Sequence, residues 1–85
     1  MPEICRFFGI IIKMMYNEHN PPHFHAEYQG EKAVFSINEL KIIKGSIHPK
    51  AILLILEWSF EHREELLKDW YLAQKHEILL PIKPL

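Results

Sequence analysis

The chain is 85 residues long, and 48% of them are hydrophobic, which excludes an intrinsically disordered chain and leaves one small globular domain spanning residues 1–85. A formal net charge of −1 excludes a uniformly cationic surface of the kind that binds nucleic acid non-specifically. The one cysteine, Cys5, excludes an internal disulfide, and the longest uncharged apolar run, Ala51 to Leu56, is too short to span a membrane.

The first half reads as strands, over about residues 5–44. Phe7 to Tyr16 (FFGIIIKMMY) is rich in Phe, Ile and Met and reads as one strand, buried on both faces along part of its length. Asn17 to Pro22 turns the chain, and Pro21-Pro22 fixes φ and bars a helix. His23 to Gln29 then alternates, with His23, His25 and Glu27 on one parity and Phe24, Ala26 and Tyr28 on the other. In an extended strand alternate residues share a face, so two imidazoles and a carboxylate project together while the opposite face is apolar. Gln29-Gly30-Glu31 is a tight turn, Lys32 to Ile37 a third strand, and Leu40 to Ile43 a short fourth strand ended near Gly45.

The second half is helical, over about residues 49–76. Ser46-Ile47-His48-Pro49 opens it, with Pro49 at the first helical position. Ile52, Leu53, Ile55, Leu56 and Phe60 form a wide apolar stripe, and Leu66, Leu67, Trp70, Tyr71 and Ala73 a narrower one. The polar run Glu61 to Glu65 between them either divides the segment into two helices, the preferred reading, or forms the solvated middle of one long helix. Residues 77–85, with Pro81 and Pro84, form an extended tail. Short successive connections favour antiparallel pairing. The fold class is therefore α+β: an antiparallel meander of three to four strands followed by two helices packed on one face.

Charge is distributed unevenly. Residues 41–50 carry Lys41, Lys44 and Lys50 and no acid, whereas residues 57–77 carry six acids against three bases. A basic edge beside an acidic helical segment suits a polyanion on one side and a basic partner on the other, although two solvated faces have the same pattern.

Chemistry concentrates at His19, His23 and His25. Residues two apart on a strand lie about 6.5–7 Å apart at Cα, close enough for His23 and His25 to converge on one ion, with Glu27 one step further along the row. This set suits zinc or a similar divalent metal. The same histidines also suit metal-free acid–base cleavage of RNA, because imidazole titrates near pH 6.5 in its unperturbed state and can serve as either acid or base. His19, His23 and His25 then supply the proton-transfer pair, and Arg6, Lys13 and Lys32 the cations for the developing phosphorane charge. A third reading is a non-catalytic binding protein that docks a partner, or a second copy of itself, through its sheet edge or apolar helices.

The combination Arg6-Phe7, Gly9-Ile10, Met14, His19-x-Pro21-Pro22-His23-Phe24-His25-Ala26-x-Tyr28, Leu56-Glu57-Trp58 and His62-Arg63-x-x-Leu66 resembles the small prokaryotic family called domain of unknown function 4160. The resemblance runs from about Ile4 to the C-terminus and is weakest from Ser36 to Lys44. It implies a gene encoded beside a second small protein of the domain of unknown function 2442 family, an arrangement like a type II toxin–antitoxin pair with this chain as the toxin. It therefore implies a small antitoxin-like protein as partner and a biological role, not a mechanism; action on RNA or the translation machinery is the expectation from the His19–His25 face. With no leader or membrane span expected, the reading is of a cytoplasmic protein.

Overall fold

The computed structural model describes residues 2–85. Its elements are β1 (Glu3–Phe7), β2 (Ile10–Lys13), β3 (His23–Tyr28), β4 (Glu31–Ser36), β5 (Ile42–Ser46), α1 (Pro49–Glu61) and α2 (Arg63–Gln74). The strands form one antiparallel sheet in chain order, β1-β2-β3-β4-β5. The chain is α+β as expected, with five strands where the sequence suggested three or four.

The extra strand comes from a hairpin inside the stretch expected to run straight. Phe7 pairs with Ile10, and the two residues between them, Phe8 and Gly9, take positive φ (49° and 79°). That is the two-residue turn whose twist matches a right-handed β-hairpin. The apolar residues on both sides of Gly9 masked its turn signal. Gln29 and Gly30 (φ 48° and 83°) join β3 to β4 in the same way. β5 also sits two residues later than expected, with Gly45 inside the strand.

Alternation sorts the two faces. On one face Cys5, Ile12, Ala26, Ala33 and Gly45 lie in a row across the sheet, and Phe24 pairs with Phe35, their rings stacked at 5.4 Å. Ile10, Ile12, Phe24, Ala26 and Phe35 are fully buried here. α1 supplies Trp58, whose ring lies 5.4 Å from Phe7 and 6.0 Å from Phe24. His48 caps α1, its Nδ1 accepting the Lys50 N–H at 3.0 Å, and Pro49 occupies the first turn. Leu53 and Phe60, placed in the apolar stripe of α1 by the sequence, remain mostly exposed, because at about 3.6 residues per turn they lie on the side of the helix opposite the buried Ala51, Ile55 and Trp58.

His62 leaves helical geometry (φ −117°, ψ 24°) and separates α1 from α2, as the polar run implied. The tail has no regular structure but is anchored. Ile82 N–H donates to the Ile4 carbonyl, Trp58 Nε1 donates to the Lys83 carbonyl, and Leu80 N–H donates to Asp69 Oδ1, each at 2.9 Å. No helix among the described residues is long and apolar enough to cross a membrane.

Gly45 and Gly30 share a positive φ but differ in surroundings. A Cβ on Gly45 would lie 2.5 Å from the Lys32 carbonyl oxygen, whereas nothing lies within 4 Å of one on Gly30. Gly30→Ala is therefore expected to carry the left-handed backbone penalty alone, about 1–2 kcal/mol. Gly45→Ala adds a backbone clash that must splay β5 from β4, and chemical denaturation should show it to be the more destabilising of the pair.

Asp69 is buried on α2; Oδ1 accepts the Leu80 N–H, while Oδ2 has no partner among the described residues. Burial raises its pKa above the ordinary aspartate value. A carboxyl group whose folded-state pKa is raised destabilises the fold once ionised, and this penalty disappears as the pH falls below the unfolded value. Asp69→Asn is expected to melt above the parent at neutral pH, with the difference shrinking toward about pH 4. Thermal melts across that range check this, and a pH-independent difference would contradict it.

Candidate functional site

The sheet's other face carries the histidines. Register places Lys13, His25, Val34 and Lys44 side by side across β2 to β5, and Arg6, Ile11, Glu27, Lys32 and Ser46 in the next row. His23 and His25 project together, with ring centroids 5.5 Å apart. Neither is sealed in the core: their side chains retain 11% and 26% exposure.

The carboxylate that joins them is Glu18, from the loop before β3. Glu18 Oε1 lies 2.9 Å from His25 Nε2 and 3.2 Å from His23 Nε2. His23 Nδ1 lies 2.8 Å from the Pro21 carbonyl oxygen. A carbonyl only accepts, so Nδ1 carries a proton and the ring orientation is fixed. His25 Nδ1 has no hydrogen-bond partner among the described residues and is open to solvent. The His25 imidazole foremost, and His23 beside it, hold the Glu18 carboxyl below the usual glutamate range.

α2 holds this loop in place. Gln74 Nε2 donates to the Glu18 carbonyl at 3.1 Å, Tyr16 Oη donates to the Glu77 carbonyl at 2.9 Å, and the Tyr16 and His76 rings stack at 6.0 Å. The buried Trp70 lies 5.0 Å from the His23 ring. The Asn20–Pro21 peptide bond within the loop is cis.

A groove of about 510 Å³ opens over the cluster, lined by Glu18, His19, Asn20 and Pro21 on one side and by Lys32, Ile43 and Lys44 on the other, with His23, His25 and Val34 between them. His19 is therefore brought to the site, exposed on the groove wall.

Two residues expected at the site are held elsewhere. Glu27 shares the imidazoles' face, but its carboxylate is bound by Lys13 Nζ at 2.7 Å, which also keeps it below the usual range. Arg6 lies on β1, two strands or about 9.6 Å from β3, and its guanidinium pairs with Glu3 at 2.8 and 3.0 Å. Lys13 is occupied by Glu27, whereas Lys32 lines the groove. Lys44 and Glu18 were not singled out in the sequence. The adjacency of Lys44 depends on the β4–β5 register, and Glu18 comes within reach only when the loop folds back. The one local hint was that Glu18 precedes His19.

The family comparison bears on this region directly. The family model described as Domain of unknown function (DUF4160) matches residues 9–71. The chain belongs to that family. The matched span of this DUF4160 protein contains the whole histidine loop, β2 to β5, α1 and most of α2. Searches found no matching curated protein and no matching solved structure.

A carboxylate held below its ordinary range stabilises the fold above that range and loses this contribution as the pH falls through the folded-state value. Glu18→Gln is thus expected to melt below the parent at neutral pH, with the gap narrowing through the carboxylate range. Melts from about pH 7 to about pH 3 test this; an unchanging gap would mean that the carboxylate's charge contributes nothing.

Proposed function

We propose that this DUF4160 protein is the toxin of a type II toxin–antitoxin module and that it cleaves RNA in the groove above His25. One observation carries the reading: a carboxylate-oriented imidazole whose second nitrogen is open to solvent faces a groove with two lysines on its opposite wall. Glu18 fixes His25 through Nε2, leaving Nδ1 to act as base, in the manner of a carboxylate-supported histidine. His25 Nδ1 removes the 2′-hydroxyl proton and O2′ attacks phosphorus. The P–O5′ bond breaks, and His19 gives its proton to the leaving oxygen. The products are a 2′,3′-cyclic phosphate and a 5′-hydroxyl.

Lys32 and Lys44 supply positive charge to the phosphorane, a role that suits them because no carboxylate pairs with either among the described residues. His23 has both ring nitrogens engaged and serves as a positioning residue for Glu18. A cognate protein that seals the groove would neutralise the activity.

Expression of the chain alone is expected to arrest growth, and co-expression of the protein encoded next to it to relieve the arrest. Purified protein should cleave single-stranded RNA, leave DNA intact for want of a 2′-hydroxyl, and lose about 10²–10⁴-fold in rate in a folded His25→Ala variant. Unimpaired growth in both cultures, or full toxicity from a folded His23→Ala/His25→Ala double variant, would overturn the proposal.

A further inference from the structure

Glu18, His23 and His25 each present one ligand atom, and the three atoms lie within 4.8 Å of one another. From this geometry we infer that Glu18 Oε1, His23 Nε2 and His25 Nε2 form a binding site for a single zinc-class divalent ion, with its fourth position open to the groove. The inference stands on geometry and does not depend on the RNA-cleaving reading.

The spacing fits. Zinc–nitrogen and zinc–oxygen bonds of about 2.0–2.2 Å at a tetrahedral angle put neighbouring ligand atoms about 3.4 Å apart. The two nitrogen–oxygen separations are 2.9 and 3.2 Å, and no two of the three ligand atoms lie more than 4.8 Å apart, so small side-chain rotations bring the set to zinc distances. Two histidines and one glutamate form a three-protein-ligand set that leaves one position for water or substrate.

A second, independent observation comes from His23. Its Nδ1–H donates to the Pro21 carbonyl, the outer contact typical of a metal-bound histidine, which fixes the tautomer with the Nε2 lone pair turned inward. In the neutral ring that lone pair points at Glu18 Oε1, and two electron-rich atoms at 3.2 Å repel one another. A cation between them turns the contact into coordination.

Glu27 is not part of the ligand set, since Lys13 holds it, and His19 is not among the three converging groups. A metal on His25 Nε2 also leaves the Nδ1 proton in place, so the ring cannot act as a base at that atom. Metal and the proposed RNA chemistry therefore compete for His25.

The test uses the full chain, purified without a histidine tag or a nickel column, stripped with chelator and then titrated with Zn²⁺ against a chromophoric chelator. One equivalent is expected to bind, and Co²⁺ should show the intense visible bands of a four-coordinate ion. Glu18→Gln and His25→Gln are each expected to weaken zinc binding at least about tenfold, whereas Glu27→Gln and His19→Gln leave it unchanged. Circular dichroism confirms that each variant is folded. If a variant does not fold, the parent's stoichiometry and a rise in its melting temperature with Zn²⁺ still decide the matter.

Failure to bind one equivalent of zinc, or binding indifferent to both Glu18→Gln and His25→Gln, would overturn the site. RNA cleavage is measured in parallel. Cleavage by the stripped protein without zinc binding removes the metal site alone. Tight zinc binding without cleavage at any metal content removes the ribonuclease reading alone. Zinc-inhibited cleavage supports both.

Discussion

Two imidazole nitrogens converge on a single oxygen of Glu18, and the rest of the site is arranged around that contact. Strand geometry accounts for only half of it. Alternation along β3 turns His23 and His25 to one face, but a strand places their Cα atoms about 6.5–7 Å apart, and the rings require a third group between them to act together. Glu18 is that group, and it comes from the loop between β2 and β3, outside the strand ladder.

The helical half of the chain supplies the restraint. Gln74 is bonded to the Glu18 backbone, Tyr16 reaches the segment after α2, and Trp70 lies beside the His23 ring. α1 has a different task. It carries Trp58 onto the Phe7–Phe24 surface and is itself tied to the tail through the Lys83 carbonyl. Both helices bury side chains in the core, Ile55 and Trp58 from α1 and Leu66, Trp70 and Ala73 from α2, and α2 in addition positions the site.

Electrostatic pairing decides which charged residues are available. Lys13 and Glu27 satisfy each other in a half-buried pair on the same face as the histidines, and Arg6 is paired with Glu3 at the sheet edge. Lys32 and Lys44 are left to face the groove, on strands kept close by the absence of a side chain at Gly45. The same contacts suit both the proton-transfer site and the metal site proposed, because each needs an imidazole whose direction is fixed by what its other nitrogen touches.

Much of this protein was legible in local chain chemistry. The alternating face of β3, the proline-enforced turn, the helix start at Pro49, the division near His62 and the family itself all follow from short-range rules, which act over a few residues and leave clear patterns. The Phe8–Gly9 hairpin was hidden because its flanks are as apolar as the interior of a strand. The pairing of Glu18 with the histidines, the diversion of Glu27 to Lys13 and the approach of Lys44 were settled only by folding. Each depends on strand register or on a loop docked against a distant helix, and side-chain contacts between segments remote in sequence leave no periodic trace along the chain.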